Sequence, residues 1–102
     1  MKLNVGCGRD KWGEVRVDVQ FEYRGGKISP NFIADAQCLP FQDNTFSEVK
    51  ASHIIEELPF WRKALHEWMR VCCNTIIITF PVDDGFKRPL ILGFLNLSLR
   101  AI

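Results

Sequence analysis

Gly6 and Gly8 flank a single cysteine at the end of a short alternating run, Lys2-Leu3-Asn4-Val5, and Asp18 stands near the end of a second run, Val15-Arg16-Val17-Asp18-Val19. A glycine turn lets a ligand approach backbone N–H groups closely, because no Cβ is in the way. A carboxylate at the tip of the neighbouring strand can accept hydrogen bonds from both hydroxyls of a ribose. The pair points to an adenosine-containing cofactor lying across the carboxyl ends of parallel strands. Farther along, His53 follows a fourth run and is the general-base candidate by position, because a neutral imidazole near pH 7 takes a proton. It can equally well be a histidine that bonds a backbone carbonyl. Glu56 and Glu57 read as an acid pair capping the start of a helix, with catalysis as the alternative, Cys7 as a small filler of the turn, and Lys87-Arg88 as a solvated loop rather than a contact to a phosphate or membrane surface.

Five strands and one helix must hold these groups. Lys2–Val5, Val15–Val19 and Glu48–Ser52 alternate apolar and polar residues with period 2, Asn31–Ala34 is a short strand ending at Asp35, and the β-branched run Thr75–Phe80 is closed by Pro81. Trp61, Ala64, Leu65, Trp68, Met69 and Cys72 recur at helical spacing, predicting a helix from about Pro59 to Cys73 whose stripe faces the core. Arg62, Lys63, His66, Glu67 and Arg70 fall on its other, solvated face. Lys2, Asn4, Arg16, Asp18, Glu48, Lys50 and Ser52 share one polar face of the sheet. The short links around them leave little sequence for helices to cover it, so a two-layer domain is expected, with that face bare or covered by a partner. Leu95, Leu97 and Leu99 alternate as a strand, while Pro89–Phe94 reads as either a helical turn or a strand.

The chain has 102 residues, 47% of them hydrophobic, and a formal net charge of +1. That is one small domain without the basic field that would argue for nucleic acid by itself. The four cysteines form no Cys-x-x-Cys pair and the two histidines complete no ligand set, so no metal is expected. The start of the chain carries no long apolar run, and Pro89–Leu99 is far shorter than the roughly 20 residues that span a bilayer. A soluble, cytoplasmic protein with no transmembrane segment is the expectation.

Taken in order, these pieces resemble the class I S-adenosylmethionine-dependent methyltransferases from Lys2 to about Asp83. Asn4-Val5-Gly6-Cys7-Gly8 stands where that family has its acid-x-Gly-x-Gly turn. Asp35-Ala36-Gln37-Cys38-Leu39-Pro40-Phe41 resembles its Asp-Ala-x-x-Leu-Pro-Phe stretch, and Ser52-His53-Ile54-Ile55-Glu56-Glu57-Leu58 its Ser-His-x-x-Glu-His-Leu segment. The resemblance implies a cofactor site of Asn4, Gly6, Cys7, Gly8, Asp18, Asp35, Ala36 and Ser52. In it Asp18 takes the ribose, Asp35 the adenine amino group, and Ala36 offers a backbone N–H. It also implies an α/β, Rossmann-like parallel sheet of order 3-2-1-4-5, with one long helix on one face and a reduced C-terminal end, forming a single truncated domain over residues 1–102. The departures are Asn4 for the family's acid, Glu57 for its histidine, and Asn74 where a Lys-Pro-Gly-Gly turn is usual. The implied function is methyl transfer from S-adenosylmethionine to an acceptor. The alternative is a non-catalytic relative that binds the cofactor or a protein partner. A nicotinamide-dinucleotide module fits less well, because Lys11 stands in place of its third glycine. The leucine-rich tail is expected to form a two-fold homodimer, the alternative being that it folds back as a sixth strand beside the fifth.

Overall fold

The computed structural model describes residues 1–23, 25–83 and 89–98. Its strands are β1 (Lys2–Val5), β2 (Val15–Asp18), β3 (Glu22–Tyr23), β4 (Gly26–Lys27), β5 (Phe32–Ile33), β6 (Phe46–Ser52), β7 (Cys72–Asp83) and β8 (Pro89–Ser98). A 3-10 turn (Ile55–Glu57) and one α-helix, α1 (Trp61–Val71), lie between β6 and β7. Among the described residues, no helix is long and apolar enough to cross a membrane.

The main sheet runs β5-β2-β1-β6-β7-β8, and its first five strands are parallel. They correspond to the expected order 3-2-1-4-5. β8 adds a sixth strand, antiparallel to β7, with Ile76 opposite Leu97 and Thr79 opposite Phe94. The tail from Pro89 to Ser98 is therefore strand throughout, while Leu99 lies outside the described residues. Pro81 does not close β7 as expected. The strand continues to Asp83 through a register shift between Phe80 and Pro81, and such an irregularity is where a sheet tolerates a residue without an N–H. The glycine-containing link after β2 forms the small β3–β4 hairpin rather than a helix.

Register explains the core. Leu3 lies between Val15 and Val49, which in turn pairs with Ile76; Val5 lies between Val17 and Ala51, which pairs with Ile78. These two rows form one apolar face, and Ala64, Trp68 and Val71 of α1 join the same buried cluster. Each fully buried Leu, Val or Ile contributes about 1.5–3 kcal/mol. The helix is shorter than its periodicity predicts. Phe60 keeps a non-helical backbone, and the chain turns extended at Cys72, straight into β7. Asn74 therefore sits inside a strand, not at a helix exit. Of the predicted stripe, Trp61 is 44% exposed and Met69 37% exposed, while Ala64 and Trp68, joined by Val71, are buried and half-buried Leu65 packs against the same core.

Glu67 and Arg70, expected on a solvated face, instead clamp a loop. Arg70 donates to the carbonyls of Leu39 and Phe41 at 3.0 and 2.7 Å and to Asp43 at 2.8 Å. It also holds Glu67 at 2.9 and 3.0 Å, and Glu67 accepts from the Leu39 N–H at 2.8 Å. The Arg70 guanidinium holds the Glu67 carboxyl below its usual value near 4.5. A carboxyl depressed by folding stabilises the fold above its unfolded value, and this stability is lost as pH falls through the folded value.

Two outcomes follow in urea unfolding. Trp68→Ala costs about 3–5 kcal/mol, whereas Trp61→Ala costs less than about 1 kcal/mol. Below about pH 5 the wild-type midpoint falls more steeply than that of Glu67→Gln, which has no carboxyl to protonate at this clamp.

Candidate functional site

β1 ends in a turn built on left-handed glycines, with φ of 65° at Gly6 and 53° at Gly8. A Cβ on Gly6 would run into the side chain of Ile54, just beyond β6, whereas one on Gly8 would meet open space. The turn thus packs against the chain leaving β6 on one side and is open on the other. Asp18, at the end of β2, closes over it. One carboxylate oxygen accepts from the Gly8 N–H at 3.0 Å and the other from the Val19 N–H at 2.7 Å. A carboxylate has about four acceptor positions, so Asp18 is fixed by the backbone and can still receive further donors.

Asn4 lies beneath this turn at 1% exposure. Its amide donates to the Trp12 carbonyl at 3.1 Å and makes a longer contact, 3.5 Å, with that of Asp10. A carboxylate at this position could not donate to either. The loop so held folds back across the polar face of β1 and β6. Asp10 pairs with Lys50 at 2.6 Å, and the ammonium groups of Lys2 and Lys50 lie 5.6 and 5.2 Å from the Trp12 ring centroid. The Lys50 hydrogen bond keeps the Asp10 carboxyl below the usual range. The face expected to be bare, or covered by a partner, is thus roofed in part by the chain's own loop.

A cleft of about 380 Å³ opens at the carboxyl ends of the strands, inside the about 300–1,000 Å³ range of small-molecule sites. Of the residues singled out in the sequence, Gly6, Gly8, Asp18, Asp35, Ala36 and His53 line it. Asn4, Cys7 and Ser52 lie outside this lining. Cys7 is buried, which pushes its thiol up to about 11, with the Asp18 charge adding to the shift. The Ser52 hydroxyl is engaged across the sheet by Thr79 at 2.7 Å. Asp35 uses one oxygen for the Gln37 N–H at 2.8 Å and the Gln37 amide at 3.3 Å, a turn in which an Asp side chain bonds the backbone two residues on. The Ala36 carbonyl accepts from the buried Trp68 indole at 3.1 Å, so the core residue of α1 also fixes this lip of the cleft.

His53 is exposed with φ of 54°, and its backbone N–H bonds the Thr79 carbonyl at 2.8 Å. A left-handed non-glycine residue is uncommon, and this one sits on the cleft. Glu56 and Glu57 belong to the 3-10 turn rather than to α1, whose first turn has no acid. The lining also includes Val19, Ile28, Ile54, Glu57 and Leu58, which sequence patterning did not single out as ligand-facing. Val19 and Ile54 follow strands that end at the cleft, and Ile54, Glu57 and Leu58 lie in the segment that resembles the family.

No family model matches the chain, and no curated protein matches it. Solved structures do. A SAM-dependent methyltransferase from Thermotoga maritima superposes with a TM-score of 0.68 at 17% identity, over 81% of this chain and 45% of that one. The fold is that of the class I methyltransferases. The cyclase SpnF shares this methyltransferase fold with a TM-score of 0.62 at 20% identity, over 82% of this chain and 40% of its own. So does a chain solved in complex with the Haloferax volcanii Trm112 methyltransferase activator, with a TM-score of 0.59 at 16% identity, over 78% and 43%. The chain thus spans less than half the length of these neighbours. In this chain the link from the Gly6–Gly8 turn to β2 contains no helix.

The Asn4 bond carries a prediction. Asn4→Leu keeps the number and branching of side-chain heavy atoms but leaves two carbonyls without their donor, and costs about 1–3 kcal/mol in chemical denaturation. Unchanged stability would show that the loop is held by Lys50 and Trp12 alone.

Proposed function

We propose that the chain binds S-adenosylmethionine in this cleft and supports transfer of its methyl group to an acceptor. The observation that carries the reading is Asp18: both its oxygens are oriented by backbone N–H groups and retain acceptor capacity at the mouth of a glycine turn. In the proposed complex Asp18 receives the ribose hydroxyls. Asp35, with one oxygen committed to Gln37, offers the other to the adenine amino group, and Ala36 offers its N–H. Gly6 and Gly8 let the ligand lie against the backbone, and Ile54 and Leu58 keep water from it. The bound cofactor supplies an electrophilic methyl on a sulfonium, so the protein's task is orientation and a dry site. His53 is placed on the cleft to receive a proton from the acceptor.

A second reading, cofactor or partner binding without turnover, is favoured by one observation. The same fold is found in a cyclase, so the fold and methyl transfer are separable. The tail bears on partners too. β8 is an edge strand of ten residues, its sequence carries no charge, and among the described residues its outer edge pairs with no strand. Such an edge is a template for another chain, and we propose that two copies pair through it about a two-fold axis. Light scattering at micromolar concentration then gives twice the 11.8 kDa chain mass; the single-chain mass would contradict the pairing.

Calorimetric titration tests the main reading. S-adenosylhomocysteine binds the wild type, and Asp18→Ala, checked as folded by circular dichroism, loses about 2–4 kcal/mol of affinity. An Asp18→Ala protein that binds as well as its parent means the ribose does not sit there. Binding without methyl transfer to any tested acceptor favours the second reading.

A further inference from the structure

Gln37 bonds in two directions. Its side-chain amide donates to Asp35 Oδ1 at 3.3 Å, and its Oε1 accepts from the Phe60 N–H at 2.8 Å. One amide orientation satisfies both ends, since a carboxylate needs a donor and an N–H an acceptor. The Asp35 oxygen that takes this amide also takes the Gln37 N–H at 2.8 Å. Gln37 is half-buried and stands outside the cleft lining, whereas Asp35 on one side and Ile54, Glu57 and Leu58 on another belong to it. Phe60 follows Leu58 by two residues. Among the described residues, no other hydrogen bond ties the segment from Ile54 to Phe60 to any part of the chain outside itself and α1.

We infer that Gln37 is a positioning residue of the cleft: from outside the lining it aims Asp35 at the adenine and tethers the Ile54–Leu58 wall to the Asp35 lip. The inference rests on the reading of the cleft as an S-adenosylmethionine site. The terminal torsion of an aspartate is broad and roughly two-fold, so one backbone N–H restrains its carboxylate weakly. A second donor on the same oxygen narrows that range and leaves Oδ2 for an amino group. At its other end, α1 begins at Phe60 without a side-chain cap, and Gln37 supplies an acceptor for one of the N–H groups that a helix start leaves without an intrahelical partner. The loop backbone that carries Gln37 is held separately, by the Trp68 indole on Ala36 and by Glu67 and Arg70 on Leu39. Loss of the amide therefore disturbs the site more than the fold.

Calorimetry on the full chain with two probes reads the effect: S-adenosylhomocysteine, and S-inosylhomocysteine, whose 6-oxo group presents an acceptor to Asp35 where adenine presents its amino group. The wild type prefers the adenosyl probe by at least about tenfold. Gln37→Met keeps the length of the side chain and removes both bonds. It weakens the adenosyl probe about tenfold and the inosyl probe less than about threefold, so the preference falls at least about threefold. Its melting temperature stays within about 3 °C of the wild type, which a merely structural role would not allow alongside that loss. Gln37→Glu keeps an acceptor for Phe60 but sets a carboxylate against Asp35, and it loses the preference as well; it carries the test if Gln37→Met does not fold. Unchanged adenosyl affinity in Gln37→Met, an equal loss for both probes, full preference in Gln37→Glu, or a wild type that does not distinguish the probes overturns the inference. Failure of S-adenosylhomocysteine to bind the wild type overturns the cofactor reading instead, and is read before any variant is made.

Discussion

A strand at the centre of a sheet, with a polar residue on a face that no helix covers, must find partners for that residue within the chain. Asn4 finds them in the carbonyls of the Gly6–Glu14 loop. The rest of the cleft follows from this bond. With the loop drawn back over β1 and β6, Trp12 settles between two lysines and Asp10 reaches Lys50. The start of the loop is then fixed as the left-handed turn at Gly6 and Gly8, whose N–H the Asp18 carboxylate accepts. A helix ordinarily does this covering work in a parallel sheet. Here a nine-residue loop does it with one amide, one ion pair and one aromatic ring.

The opposite face is held by different means. α1 supplies a short stripe centred on Trp68, and that residue does two things: it fills the core and donates to the Ala36 carbonyl at the cleft. Arg70 and Glu67 fasten the loop that leads from that lip toward β6. Stability and site geometry are therefore coupled through one helix. A loss of packing at Trp68 would be felt at Ala36, which the same indole positions.

The strands were legible in the residues because period-2 alternation and β-branched runs mark strands whatever surrounds them, whereas their order rested on the family resemblance. The turn at Gly6 and Gly8 and the acid of β2 were legible because they need particular residue types. Other features depend on distances that spacing does not contain. Trp12 lies in a segment without periodicity, so its seat between Lys2 and Lys50 could not be read. Arg70 and Glu67 fall on the polar side of a helical wheel, which says solvent unless a loop happens to lie there. Trp61 has the spacing of a core residue but sits in a first turn that the sheet does not cover. Asn4 read as a departure from the family's acid; buried against two carbonyls, it is a donor that an acid could not replace.

The central claim is that the cleft between the Gly6–Gly8 turn, Asp18, Ala36 and His53 is an adenosyl-cofactor site. Amide-resolved NMR during titration with S-adenosylhomocysteine tests it most directly. The account predicts saturable shifts concentrated at Gly6, Gly8, Val19, Ala36 and His53, with the amides of Ser47 and Asn74, at the other end of the sheet, unmoved. Shifts clustered away from the cleft, or none at saturating ligand, would contradict it.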